Sequence, residues 1–408
     1  MNCRHCNAAV TLPFLDLGTA PLSNGFLTAQ QLRAAETWFP LRLLVCAECW
    51  LVQTDDYAGR DSVFTNDYIY FSSISSSWVA HAKQYVEQML ERFGLGADHR
   101  VAEVAANDGY LLQFVKARGI PCFGIEPTDS TAKAARARGL EIVSEFFGSA
   151  LAERLAAQGL GCDLIAANNV LAHVPDINDF VAGFERLLTP RGVATFEFPH
   201  LLQMVRHTQF DTAYHEHYSY LSLTTVARVL ERQGLMIFDV EALSTHGGSL
   251  RVFAQRAASG VHAVGHAVQR TLDEETAAGM RTPEFYGSFQ AEAERVKDDF
   301  LAFLIEAKRE NRRVAAYGAA AKGNTLLNFA GVKPDLLPFV SDAAPSKQWR
   351  YLPGSRIPVL PPTALAEFRP DEVLILPWNI AQEISDQQSH LRNNGTRFVT
   401  VIPRLNTW

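Results

Sequence analysis

The stretch "RVAEVAANDGYLLQFVKARGIPCFGIEP", residues 100–127, decides the fold. Its opening "RVAEVAAN" is a short apolar run and reads as a buried strand. "DGYLLQFVKARG" then spaces its apolar residues at helical intervals and closes on Gly119, which predicts a helix. "PCFGIEP" returns to strand character. Strand, helix and strand in so short a span is a βαβ unit, and such units build parallel sheets covered on both faces.

Working outward, the same alternation continues. "LEIVSEFF" (140–147), "CDLIAANNV" (162–170) and "GVATFEFP" (192–199) are further strands, with helices such as "INDFVAGFERLL" (177–188) between them. The series ends differently. "LMIFDVEAL" (235–243) and "SLRVFAQR" (249–256) are separated only by "STHGG", which predicts an antiparallel hairpin at the sheet edge. A long helical stretch, Pro283 to Asn311, leads to a second α/β series: "RVAAYG", "LLPFVSD", "DEVLILPWN" and "RFVTVIP". Ahead of both lies a loop-rich segment containing "LDLGTAPLSNGFL" (15–27) and two cysteine pairs. Three domains are expected: 1–66, 67–258 and 259–408.

Composition bounds the function. The chain has 408 residues and a net charge of −7, so it carries no basic field for nucleic acid or an anionic membrane. No apolar run reaches the about 18–20 residues that span a bilayer. The opening "MNCRHCNAAV" lacks the charged-then-apolar layout of a secretion signal, and the protein is read as cytoplasmic. The oligomeric state is left open, and a monomer is compatible with the sequence.

Of the six cysteines, Cys3/Cys6 and Cys46/Cys49 form two CxxC pairs. Each pair makes a knuckle that presents two sulfurs to one ion, and four thiolates suit tetrahedral Zn²⁺. With four protein ligands no position is left for substrate, so the metal is read as structural.

In "VAEVAANDGYLL", Glu103, Asn107, Asp108 and Gly109 lie where the first strand of the series turns into its helix, a place where open α/β sheets bind nucleotides. The GxGxxG of dinucleotide enzymes is missing. Glu126 ends the second strand, placed to accept from two ribose hydroxyls. The acidic-x-x-x-Asn-Asp-Gly order, the second-strand glutamate and the terminal hairpin together point to S-adenosylmethionine (SAM).

The paired cysteines, "EVAANDGYLL", "NNVLAHVPD", "YHEHYSYLS", "THGGSLRV" and "YGAAAKGNTLLN" occur in that order over nearly the whole chain. In this the sequence resembles the nucleotide-sugar C-methyltransferases of deoxysugar biosynthesis. The resemblance implies a class I SAM-methyltransferase domain with a doubly wound sheet, an N-terminal zinc-binding domain and a C-terminal Rossmann-like α/β domain. It implies methyl transfer from SAM to C3 of a 4-keto-6-deoxysugar nucleotide. In the family's Tyr-His-Glu-His motif the second histidine is the base, here His217, with Tyr214 and Glu216 beside it. Ala105 stands where most methyltransferases have glycine, as it often does in this family.

The chemistry calls for those residue types. A C4 ketone acidifies the C3 proton, and histidine, with an ordinary pKa near about 6.5, is a workable base at neutral pH. A phenol such as Tyr214 can donate to the developing oxyanion. Glu216 could orient the histidine or hold a sugar hydroxyl. A second reading of the motif, His215 and His217 as metal ligands on one face of an extended strand, lacks a third ligand. Asn168 is expected at the cofactor, and Asn169, His173 and, from "STHGGSLRV", His246 at the sugar. "DYIYFSSISSSW" contributes Tyr68 by resemblance, with Tyr70 and Ser73 as weaker contacts, and Ile74 stands where relatives have a tyrosine. "AAYGAAAKGNTLLN" reads as a strand, a small-residue loop and a helix start, so Lys322, Gly323 and Asn324 are expected to cradle the diphosphate.

Two alternatives are kept: SAM-dependent O- or N-methylation of a small natural product, and a non-catalytic zinc-ribbon scaffold. The nucleotide, the C3 substituent and the stereochemical outcome stay open, as does C3 against C5 as the methylated carbon.

Overall fold

The computed structural model describes residues 1–55, 57, 71–259 and 261–408. Among them are three sheets. The first is antiparallel: β1 (Leu12–Ala20), β2 (Phe39–Val45) and β3 (Val52–Thr54). Its fourth strand is β9 (Ser219–Tyr220), which comes from the histidine-rich stretch and pairs with β3. Part of "LDLGTAPLSNGFL", read as loop, is therefore strand. β1 runs to Ala20, with register shifts between Pro13 and Leu15 and between Asp16 and Thr19 that its Gly and Pro conceal in sequence.

The second sheet has the order β10-β11-β8-β7-β4-β5-β6, where β4 is Val101–Val104, β5 Cys122–Ile125, β6 Ile142–Val143, β7 Cys162–Asn168 and β8 Leu188–Pro199. The hairpin is β10 (Leu235–Leu243) and β11 (Ser249–Arg256). β4 to β8 run parallel, and β11 alone is antiparallel to its neighbours. The hairpin does lie at the edge, but its second strand turns inward and pairs with β8, leaving β10 outermost. Consequently the ends of β4, β5, β7 and β8 and the turn after β10 all open on one side of the sheet.

The third sheet has the order β14-β13-β12-β15-β16-β17, with β12 at Val314–Tyr317, β13 at Val340–Ser341, β14 at Val359–Leu360, β15 at Glu372–Ile375, β16 at Arg397–Thr400 and β17 at Asn406–Thr407. All are parallel except β17. β12 and β15 are neighbours, so the loops after them lie side by side.

Local signals account for the helices. Ser75 caps the helix Ser76–Phe93 by accepting from the Trp78 amide, and Gly94 closes it in the left-handed conformation. The expected single helix over 283–311 is Glu284–Gly287 followed by Phe289–Arg309. The expected helix over 108–119 is shorter, Leu112–Ala117, because Asn107 and Gly109 sit at positive φ in the preceding turn.

The cores join the layers. One is continuous from Phe14, Leu43 and Tyr220 through Phe289 and Phe300 to Leu326, Val340 and Val399. Another joins the metal-site cysteines Cys3, Cys46 and Cys49 to Ile165, Phe184, Phe196 and Val226 on one face of the second sheet. Among the described residues no helix is long and apolar enough to cross a membrane.

Candidate functional site

The four paired cysteines converge, with every Sγ within 4.8 Å of the others. Cys3 and Cys49 are 3.4 Å apart and Cys6 and Cys46 3.5 Å. Zn–S bonds of about 2.3 Å place tetrahedral sulfurs about 3.8 Å apart, so the cluster fits the ion. The Cys49 thiol beside it draws the Cys3 pKa down to about 5, whereas burial holds Cys46 above the ordinary thiol value. Cys3 in turn pushes Cys49 up strongly. The Cys3 thiolate forms readily whereas Cys46 and Cys49 resist, and a bound cation would relieve the crowding of charge. His215 and His217 do not belong to it: 213–218 is not strand, and the two rings have different backbone partners.

At the carboxyl end of the second sheet, the loop after β4 is held by its own carboxylates. Glu126 Oε2 accepts the Asn107 amide at 2.9 Å, and Oε1 accepts the Thr128 amide at 2.9 Å. Oε1 accepts from Thr128 Oγ1 as well, so both oxygens expected to face a ribose already bind the chain and Oε2 is the one that keeps a second lone pair. Asn107 Oδ1 accepts the Ser72 amide at 2.9 Å, and Asp108 Oδ2 accepts from Ser73 Oγ and from Arg138 at 3.2 Å. Glu103 lies deeper than expected: burial first, then Asp108 and Glu126, push its pKa far above the carboxylate range. Gly109 is required, since at φ +78° a Cβ would come within 2.2 Å of Leu140 Cδ1.

Beside this loop the buried carboxamide of Asn168 and that of Asn169 have no hydrogen-bond partner among the described residues, and neither has Glu103 Oε2 or Asp108 Oδ1. Buried polar atoms in folded proteins are nearly always paired. Such a set at one sheet end fits a polar cofactor and supports SAM there.

The histidine-rich stretch packs against that end. His217 is 9% exposed, and its Nδ1 lies 2.9 Å from the Thr212 carbonyl oxygen. A carbonyl only accepts, so Nδ1 carries the hydrogen and Nε2 the lone pair. The Tyr214 ring is 4.0 Å away and that of His173 4.6 Å. Burial, followed by His173, holds His217 well below the ordinary histidine value, and burial takes His173 down to about 4. Thr212, rather than Glu216, orients His217, while Glu216 Oε1 accepts from Asn24 Nδ2 at 2.6 Å. His215 faces the first sheet and donates to the Pro40 carbonyl at 3.1 Å.

His246 sits in the turn after β10 at φ +53°, against Trp78 at 5.2 Å, and burial, then the Lys322 charge, lower it to about 3. Tyr68 and Tyr70 lie outside the described residues. Exposed Ile74 and half-buried Ser73 are near the start of the helix Ser76–Phe93.

The loop after β12 corrects one expectation. Gly323 and Asn324 are not part of an open cradle. A Cβ on Gly323 would meet Leu376 at 2.8 Å, and buried Asn324 donates to the Ser23 carbonyl at 2.6 Å. Lys322 turns toward the histidines, with Nζ 2.6 Å from Asn379 Oδ1 and 4.6 Å from the centre of the Trp378 ring. Burial lowers its pKa and the nearby Asp211 works against that.

Sequence reasoning missed Asn24, Asp211, Thr212, Trp378 and a buried network behind the sheet end. In that network Glu197 receives His81 Nε2 at 2.8 Å and Arg251 Nε at 2.7 Å. Burial works to raise Glu197, and its two partners overcome it and hold the carboxylate ionised. Their only sequence signal is adjacency: Thr212 lies two residues ahead of "YHEHYSYLS", and Trp378 lies in "LPWN", just past a strand.

Comparison with known proteins agrees with this architecture. Family models match in order: a zinc binding domain over 3–64, a methyltransferase domain over 78–240 and a C-methyltransferase C-terminal domain over 244–403. The chain is 34% identical over 401 residues to the C-methyltransferase NovU of Streptomyces niveus, covering 98% of this chain and 95% of that protein. Among solved structures, magnesium protoporphyrin IX methyltransferase of Synechocystis PCC 6803 with bound SAM aligns at TM-score 0.33 and 16% identity, over 44% of this chain and 81% of that one. The PH0226 protein of Pyrococcus horikoshii OT3 aligns at TM-score 0.39 and 12% identity, over 49% of this chain and all of that one (100%).

Proposed function

This chain belongs to the C-methyltransferase family, a SAM-dependent and zinc-containing one, and from that premise we propose that it methylates C3 of a nucleotide-linked 4-keto-6-deoxysugar with His217 as the base. The observation that carries the reading is the state of His217. Its Nδ1 hydrogen is committed to Thr212, and burial keeps the ring neutral, so Nε2 presents a lone pair beside Tyr214 at the sheet end.

His217 Nε2 takes the C3 proton, the electron pair moves into the C4 carbonyl, and Tyr214 donates to the oxygen that becomes negative. SAM, when bound, supplies an electrophilic methyl group to the resulting carbanion. Glu103, Asn107, Asp108, Gly109, Glu126 and Asn168 are proposed to hold the cofactor. Asn169, His173, His246 and Tyr68 are proposed for the sugar. Glu216, fixed by Asn24, is proposed to hold a sugar hydroxyl. Lys322 contributes positive charge, with Gly323 and Asn324 seating its helix. On this reading 1–66 binds zinc, 67–258 binds SAM and 259–408 completes the nucleotide-sugar site, in a cytoplasmic enzyme.

The test is incubation with SAM and a panel of 4-keto-6-deoxysugar nucleotides, read by mass spectrometry, together with deuterium wash-in from D₂O in the presence of demethylated cofactor. Wild type should gain a methyl group and exchange at C3. His217→Asn should lose about 10²–10⁴-fold in both while still binding SAM. Exchange by the variant at the wild-type rate would remove His217 from the role, and exchange at C5 would move the methylated carbon.

A further inference from the structure

The base is tied to a part of the chain that the proposed reaction leaves without a role. Trp378 follows β15, and its indole N–H donates to Asp211 Oδ2 at 2.8 Å. Asp211, 1% exposed, is the middle residue of the helical turn Phe210–Thr212. The next residue is Thr212, whose carbonyl accepts the Nδ1 hydrogen of His217 at 2.9 Å. The same indole carries Lys322 on its face at 4.6 Å, and it meets the hairpin turn so closely that a Cβ on Gly247 would come within 2.3 Å of it. A second brace reaches the turn from the same side, where Thr325 Oγ1 donates to the Ala213 carbonyl at 2.8 Å.

We propose that Trp378 is a positioning residue for the base: by holding Asp211, it fixes the turn whose Thr212 carbonyl keeps His217 in the tautomer that can accept a proton at Nε2. The proposal rests on the reading of His217 as the base. Neutral imidazole has one hydrogen and two nitrogens, and its tautomer is set by what the second nitrogen meets. If the Thr212 carbonyl drifts, the hydrogen redistributes, and molecules protonated at Nε2 cannot take the substrate's proton. The C-terminal domain then acts on the chemical step besides contributing to binding.

Trp378→Phe in the full-length protein keeps an aromatic face for Lys322 and removes only the N–H donor and part of the ring. A hydrogen bond to a charged group is worth roughly ten- to hundredfold, so kcat should fall by about that factor. KM for SAM and for the sugar nucleotide should stay within about twofold, since nothing that touches them has been removed. The second readout needs no substrate. With ¹⁵N-labelled histidine, and the His217 signals assigned by their loss in His217→Asn, wild type should show a single Nδ1–H tautomer and Trp378→Phe a mixture. Asp211→Asn, which keeps an oxygen for the indole, should retain more of the wild-type tautomer than Asp211→Leu. A Trp378→Phe enzyme with a pure Nδ1–H tautomer, with unchanged kcat, or with its loss carried by KM would overturn the proposal. Failure of wild type to methylate any sugar nucleotide would instead overturn the reading of the reaction, while the tautomer measurement still decides the role of Trp378.

Discussion

Neutral imidazole at His217 is maintained by burial, then by His173, with the charge of Lys322 and the ring of His246 acting in the same direction. As the proposed base, His217 would work only when unprotonated, and its pKa is depressed, so acid must go well below the ordinary histidine range to silence it. The rate of C3 proton exchange should therefore stay flat from neutral pH down through about 6.5. An acid limb centred at or above that value would mean that His217 is solvated in the working enzyme. Glu126→Ala belongs to the same scale. It removes the acceptor of the Asn107 and Thr128 amides along with the proposed ribose contact. SAM affinity by calorimetry should drop at least ten- to hundredfold, the worth of about 1.5–3 kcal/mol, with sugar-nucleotide affinity much less affected. The places of Glu126, Asn168 and His173 at the sheet end were legible in the sequence because strand ends mark where such groups stand. Trp378 and Asp211 could not, because they are 167 residues apart and only the folded chain joins them.

Elements with their own periodicity were legible, and short ones were not. β10 and β11 begin and end where alternation of apolar residues predicts, whereas β14 and β17, two residues each, are too short to show any period. Their existence depends on neighbours already in place. The openness of the phosphate cradle was not legible for a related reason: a glycine in the first turn of a helix, as Gly323 is in Ala321–Phe329, serves either close packing or ligand approach, and here Leu376 lies against it. At the loop after β4 the structural demand is sharp. Gly109→Ala would force a side chain into a left-handed conformation and into Leu140. It should destabilise the protein by roughly 1–3 kcal/mol and weaken SAM binding, read as a fall in Tm and by calorimetry. A variant with unchanged Tm and affinity would show that the loop relaxes at no cost.

For the whole molecule, the continuous core from Phe14 through Phe289 to Val399 links the first and third sheets. Those two sheets are expected to melt together on heating, and three resolved transitions by calorimetry would contradict it. Acid should weaken the fold. His173 at about 4 and His246 at about 3, with His217 also depressed, are neutral in the folded state where the unfolded chain would be protonated. The unfolded state then binds more protons, so stability rises with pH between about 4 and 6.5, by up to roughly 1.4 kcal/mol per unit for each histidine. Denaturant midpoints across that range check the slope. Replacing any one of the three by a neutral residue should flatten it.

β3 begins just past Cys49, after Trp50 and Leu51, and pairs with β9, Val52 opposite Tyr220, and Thr54 Oγ1 donates to the backbone carbonyl of His217 at 3.2 Å. From the other side Arg4, between Cys3 and Cys6, donates its amide to the Gln53 side chain at 3.0 Å. The sulfur cluster and His217 thus share one hydrogen-bonded ladder. Loss of the ion is therefore expected to stop turnover in an all-or-none way, since the ladder is either in register or lost. A sample half depleted by a chelator should behave as half as much enzyme, with Vmax falling in step with metal content and KM unmoved. For a cell, supply of the ion would set how many copies work rather than how fast each one does.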